Sequence, residues 1–147
     1  RTERVLIHLT PEEAQAAVSE LVRVVRPGGR ISLVETCHHQ CRIDGDDVLL
    51  PSVAKVVANP TMGLHLRVAL LSAGCAEVVS EPRALVFMTI EQLRPLVRLE
   101  VVARAAASAG ATDHKIESAL AELHRRDEAG TFFAVMLFYV ASGTLPT

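Results

Sequence analysis

Between Ala14 and Val25 the apolar residues recur at helical spacing. Ala14, Ala17, Val18, Leu21, Val22 and Val25 fall on one stripe. Thr10-Pro11-Glu12-Glu13 opens it. Thr10 can cap the free amides, Pro11 suits the first helical position, and Glu13 completes a capping box. Arg23 and Arg26 favour the negative end of the helix dipole, and Pro27-Gly28-Gly29 stops the helix. Ahead of it, Val5-Leu6-Ile7 reads as the tail of a strand; behind it, Ile31-Ser32-Leu33-Val34 reads as another. A helix feeding directly into such a run predicts a parallel, doubly wound sheet.

The pattern weakens and then returns. Glu35 to Asp47 is polar and reads as a loop, and Val48 to Ala58 reads as helical with an interruption near Pro51. Asn59-Pro60 breaks that stretch, and a third helix is expected from Thr61 to Ala73, ended by Gly74. Two short strands follow, Glu77 to Ser80 and Leu85 to Met88, separated by Glu81-Pro82. Thr89-Ile90-Glu91-Gln92 has capping-box spacing and starts a helical stretch reaching about Gly110. Thr112 or Asp113 caps a further helix whose face carries Ile116, Ala119, Leu120 and Leu123, and Gly130 ends it. Thr131 to Ala141, rich in β-branched and aromatic residues, is the strongest strand signal. No internal repeat, low-complexity tract or domain linker stands out.

Composition narrows the function. Half of the 147 residues are hydrophobic and 22% are charged, which favours a packed core over a disordered chain. The net charge of -2, with no basic run, argues against a nucleic-acid footprint. Aromatics at 3%, with no Trp, leave little for a base-stacking surface. No apolar stretch reaches the roughly 18 residues of a membrane span. The opening Arg1-Thr2-Glu3-Arg4-Val5 is neither a signal peptide nor an initiator Met, and reads as a chain that begins in the middle of something. Three cysteines, Cys37, Cys41 and Cys75, are too few for a disulfide framework, so the cytoplasm is the expected compartment.

Three segments in order carry a family resemblance. The first is Arg4-Val5-Leu6-Ile7-His8-Leu9 followed by Arg23-Val24-Val25-Arg26-Pro27-Gly28-Gly29-Arg30. The second is Asn59-Pro60 with Gly63 and Leu66, then Ala73-Gly74-Cys75-Ala76-Glu77-Val78. The third is Phe132-Phe133 through Ser142-Gly143-Thr144. Together they resemble the C-terminal half of a class I S-adenosylmethionine-dependent methyltransferase of the small-molecule branch, similar to quinone-biosynthesis and natural-product enzymes. Ile7 stands where the family often has the first of two histidines, so only His8 matches.

The resemblance implies an α/β fold, the C-terminal part of a Rossmann-like sheet. Its last strand would lie antiparallel between its two predecessors. Residues 90–129 would form a helical insertion capping the acceptor pocket. It also implies that residues 1–147 are a partial domain whose cofactor-binding N-terminal half is absent. No Gly-x-Gly occurs anywhere, and Gly28-Gly29, placed before a strand, reads as a turn. S-adenosyl-L-methionine would belong to the complete domain, with weak or no binding by this chain. The expected partners are a small-molecule methyl acceptor and either the missing N-terminal half or a second copy. Pairing would run through an open edge at Val5-Leu6-Ile7. The alternative is a non-catalytic half-domain serving as a partner or assembly subunit.

Ligands of doubly wound sheets lie beyond the carboxyl ends of the strands, and two segments qualify. Ile7 and His8 are the cofactor-side candidates, with His8 also a catalytic candidate. Glu35, His38 and His39 follow the next strand as substrate-binding candidates, the two histidines also as catalytic ones. The other role open to Glu35 is to accept hydrogen bonds from loop amides. Cys37-His38-His39-Gln40-Cys41 has soft and imidazole ligands close together but matches no standard zinc spacing, so no metal is expected. Asp44-Gly45-Asp46-Asp47 lacks the alternation and closing Glu of a calcium loop and reads as a turn. His65 and Arg67 lie in the third helix, where Leu64 follows Gly63; His114 and His124 read as surface residues, and Met62, Met88 and Met136 as core filler.

Overall fold

The computed structural model describes residues 1–147. In chain order the elements are β1 (Thr2–Glu3), a 3-10 turn (Leu6–His8), α1 (Pro11–Val24), β2 (Arg30–Thr36), a 3-10 turn (His38–Gln40), β3 (Arg42–Ile43), α2 (Leu50–Val53), a 3-10 turn (Ala54–Val56), α3 (Met62–Ser72), β4 (Ala76–Phe87), α4 (Ile90–Leu93), α5 (Leu99–Ser108), α6 (Asp113–Glu128) and β5 (Ala134–Thr144). The fold is α/β with a mixed five-stranded sheet. No helix is long and apolar enough to cross a membrane.

The chain divides into two compact units. The first comprises residues 1–37, 57–83 and 137–147. Here β1 pairs parallel with β2, with Thr2 opposite Leu33, and β2 pairs antiparallel with β5 from Arg30–Thr144 to Thr36–Phe138. β4 also pairs with β5. The last strand therefore has β2 and β4 as neighbours and runs antiparallel to β2. Ile31 and Leu33 of β2 are buried with Ala14 and Val18 of α1, Leu66, Ala69 and Leu70 of α3, and Ala141 of β5. Both helices reach that cluster because their apolar residues recur three and four apart. α1 starts as its sequence requires: Thr10 Oγ1 accepts from the Glu13 amide at 3.3 Å, and Glu13 Oε2 accepts from the Thr10 amide at 2.9 Å.

The second unit comprises residues 38–56 and 84–136. β3 pairs antiparallel with the start of β5, Ile43 opposite Ala134. α2 and the following 3-10 turn pack on α5, which packs on α6. Val53, Leu93, Val102, Leu123, Phe132 and Met136 are fully buried. α6 begins at Thr112, whose hydroxyl accepts from the Lys115 amide at 3.4 Å.

Several elements differ from the reading above. Val5-Leu6-Ile7 is not a strand tail: β1 ends at Glu3 and the segment winds into a 3-10 turn with Leu6 and Ile7 buried. The open strand edge expected there does not form, because these apolar side chains point into a core. Glu81-Pro82 does not split two strands but lies inside one, β4, which pairs with β5 alone and is exposed along almost all its length. Proline is tolerated at such an edge. The stretch from Thr89 to Gly110 breaks into α4 and α5. The supposed loop after Glu35 contains a 3-10 turn and β3. Met88 is exposed, unlike the buried Met62 and Met136.

Candidate functional site

Because β1 and β2 run parallel, their carboxyl ends lie side by side, where doubly wound sheets bind ligands. β1 is ended by Arg4, a non-glycine residue with φ 55 whose amide still donates to Val34 O at 2.9 Å. This left-handed residue swings the chain off the sheet into the turn Leu6–His8. The His8 amide closes that turn on Val5 O at 3.1 Å. The backbone is thus pinned while the His8 side chain stays exposed.

Glu35 sits one residue beyond Val34, the partner of Glu3, and is 0% exposed. Its Oε1 accepts from the Val5 amide at 2.9 Å and the Leu6 amide at 2.8 Å. Those amides open the 3-10 turn and have no partner within it, so the carboxylate does the work of a cap. Its Oε2 is buried and has no hydrogen-bond partner. Burial pushes the carboxyl above its usual range; the amides of Leu6, Val5 and Ile7 and the charge of His8 pull the other way. Glu35 is therefore tied to the turn that ends at His8.

The sequence reading missed how Asn59 contributes. Its amide donates to Ile7 O at 2.9 Å, and its buried side chain donates to Met62 Sδ at 3.3 Å. The carbonyl of one cofactor-side candidate is thereby tied to the start of α3. Gly63 lies on the same helix, where an added Cβ would fall 2.9 Å from Thr36 O. An Asn before a proline, ahead of a helix, was the available signal.

His38 and His39 belong to the second unit. His38 is buried, with Nδ1 3.1 Å from Val53 O, while His39 is exposed. Arg42 Nη1 donates to His39 O at 3.3 Å and Cys41 O at 2.7 Å. Burial pushes the Cys41 thiol up to about 11, with Arg42 lowering it and Asp46 raising it. Asp46 Oδ1 accepts from the Val48 and Leu49 amides at 3.0 and 2.8 Å, which makes Asp44 to Asp47 a turn. No three His, Cys, Asp or Glu side chains come together in ion-binding geometry. The same unit holds a cavity of about 390 Å³ at α4, α5 and α6, where buried Val97 and Leu99 meet exposed Glu91, Arg94 and His124.

Gly28 and Gly29 lie at the amino end of β2, away from this site. The Gly28 amide donates to Leu145 O at 3.1 Å, and Gly29 O accepts from the Leu145 amide at 2.9 Å. The pair is a turn and offers no cradle.

No protein-family model matches the chain. It is 33% identical, over 95% of its length, to an uncharacterized 37.1 kDa protein of transposon TN4556 from Streptomyces fradiae, and spans 41% of that protein. Among solved structures it is similar to Haemonchus contortus phospholethanolamine N-methyltransferase 2 in complex with phosphomonomethylethanolamine and S-adenosylhomocysteine. That match has a TM-score of 0.47 and 10% identity, covering 99% of this chain and 32% of the other. It is also similar to the [4+2]-cyclase SpnF, with a TM-score of 0.46 and 15% identity, covering 99% of this chain and 49% of the other.

Proposed function

We propose that the chain is part of an S-adenosylmethionine-dependent methyltransferase acting on a small molecule, and that it contributes the acceptor-side half of the site. The observation that carries this reading is the strand arrangement. β1 and β2 run parallel, and β5 lies antiparallel against β2 with β4 also pairing it. Three sequence segments that resemble the family supply the turn after β1, the approach to β2, α3 with the start of β4, and β5. In this reading the glycine turn and the ribose-binding carboxylate come from sequence outside residues 1–147 or from a second polypeptide. His8 is the catalytic candidate, exposed at the carboxyl end of β1.

The complete encoded protein tests this directly. Incubated with methyl-labelled S-adenosylmethionine and a panel of small hydroxyl, amine and thiol acceptors, it should transfer label and release S-adenosylhomocysteine. The isolated chain should bind the cofactor weakly or not at all in calorimetry. A complete protein that binds no S-adenosylmethionine would leave the alternative, a half-domain that serves as a partner or assembly subunit. A tight one-to-one complex with residues 1–147 alone would overturn the division of labour.

A further inference from the structure

We infer that the second unit carries a binding site of its own, a cavity among α4, α5 and α6 that takes a small organic cation with an apolar body. The inference does not rest on the methyltransferase reading and uses neither His8 nor Glu35.

The cavity comes first. Its volume is about 390 Å³, within the range of sites that hold small molecules. Every residue lining it lies within 84–136, inside one compact unit. Its base is apolar: Val97 and Leu99 are buried, and Ile90 and Leu120 are half-buried. Covering such side chains with an apolar group is favourable, because it takes their surface out of water. The few polar groups of such a site then fix what the rest of the ligand must be.

Here they fix its sign. The lining has three carboxylates, Glu91, Glu100 and Asp127, against one guanidinium, Arg94, and the imidazole of His124. Even a protonated His124 leaves the lining negative. Arg94 Nη1 lies 3.6 Å from Glu91 Oε2, so those two charges offset each other. Glu100 stands exposed in the first turn of α5 with no ion-pair partner. Asp127 Oδ1 accepts from the Ile90 amide at 3.2 Å, tying the start of α4 to the end of α6, and no cation pairs with it. Two carboxylates are thus left without a counter-charge beside an apolar base. An anion there would add a like charge. A bare metal ion fits poorly, since no three ligating side chains converge. An ammonium on a short alkyl chain suits both parts, its chain against the base and its N–H donors toward the carboxylates.

Titrations of the chain followed by amide NMR test it with three probes of one length: hexylammonium, hexanol and hexanoate. Hexylammonium should shift the amides of Val97, Leu99 and Leu120 saturably. It should bind about tenfold more tightly than hexanol, each unpaired carboxylate contributing about three- to fivefold, the scale of an exposed ion pair. Hexanoate should bind more weakly than hexanol. Raising the salt to about 0.5 M should weaken hexylammonium and leave hexanol unchanged. Glu100→Gln removes one charge at an exposed position. Asp127→Asn removes the other and keeps an oxygen for the Ile90 amide. Each should weaken hexylammonium about three- to fivefold with hexanol binding held. Glu117→Gln, on α6 but outside the lining, makes the same change in net charge and should alter neither. If Asp127→Asn fails to fold, Glu100→Gln decides. No saturable shift at those amides would overturn the inference, as would equal affinity for hexylammonium and hexanol, or parental binding by Glu100→Gln. The methyl-transfer assay bears on none of these outcomes, so the two readings fail separately.

Discussion

Gly63→Ala sets two effects of similar size against each other at the edge of the candidate site. Gly63 is a buried residue near the start of α3. Replacing a helical glycine with alanine favours the helix by about 1 kcal/mol. Against this, the new Cβ would lie 2.8 Å from Tyr139 Cδ2, 2.9 Å from Thr36 O and 3.0 Å from Thr36 C. The Tyr139 ring is only half-buried and can shift. The Thr36 backbone gives less easily, because it is held in the β2–β5 ladder opposite Phe138. Overpacking a tight site costs about 1–3 kcal/mol, and contact with a braced backbone puts this case in the upper part of that range. The net expectation is a loss of about 1–2 kcal/mol. At about 2–4 °C per kcal/mol for a chain of this size, the melting temperature should drop by roughly 2–8 °C. Thermal melts and urea titrations followed by circular dichroism measure it, with Arg67→Ala on the exposed face of α3 as a near-neutral control. If Gly63→Ala is as stable as the parent, or more so, α3 does not lie as close to β2 as the geometry requires.

Three further outcomes are expected. Glu35 is raised above its unfolded value of 4.5, so the folded chain holds that proton more tightly than the unfolded one. Its contribution is full below that value and lost as pH rises through the folded one. Urea midpoints taken from about pH 4 to about pH 8 should therefore fall less steeply in Glu35→Gln than in the parent, and equal slopes would contradict the assignment. Thr10→Ala should cost about 1 kcal/mol by removing the cap of α1, with Thr10→Ser close to the parent; a silent Thr10→Ala would mean the capping box contributes nothing. Cys41, buried and pushed up to about 11, should react slowly with Ellman's reagent at mildly alkaline pH and quickly once urea unfolds the chain. Rapid labelling of Cys41 in the native protein would show that the thiol is accessible.

How much of this could be read in advance depended on whether the signal was local. α1 announces itself because cap, first-position proline, apolar stripe and glycine stop all fall within twenty or so residues and agree. α6 and β5 were legible for the same reason. β4 was not: Glu81-Pro82 is a turn signal by composition, yet the strand runs through it as a sheet edge, where proline costs little. Likewise Val5-Leu6-Ile7 has the composition of a strand. Its path is decided by Arg4, whose left-handed φ of 55 belongs to a residue type that seldom adopts it. What holds Arg4 there is a long-range bond to Val34, and no local rule reports such a bond.

The same limit applies to the site, with a different consequence. Its residues could be nominated from the positions expected at strand ends, because parallel strands place their carboxyl ends together whatever the side chains. The reading placed His8 and Glu35 at two such ends, and β1 and β2 bring the two segments into contact. It left open which way Glu35 would face. That orientation follows from the two amides of Val5 and Leu6, which lack partners because the chain leaves the sheet at Arg4. A strand continuing through Val5 would have spent those amides on the sheet ladder and left Glu35 free for solvent or ligand. The departure from strand geometry at Arg4 is thus the physical reason the carboxylate is turned inward, toward the turn carrying His8. A substitution that relaxes Arg4, such as Arg4→Gly, should keep this arrangement, since glycine adopts the left-handed region without a steric cost. A β-branched residue there should disturb it, and would be read first as lost exchange protection at the Leu6 amide.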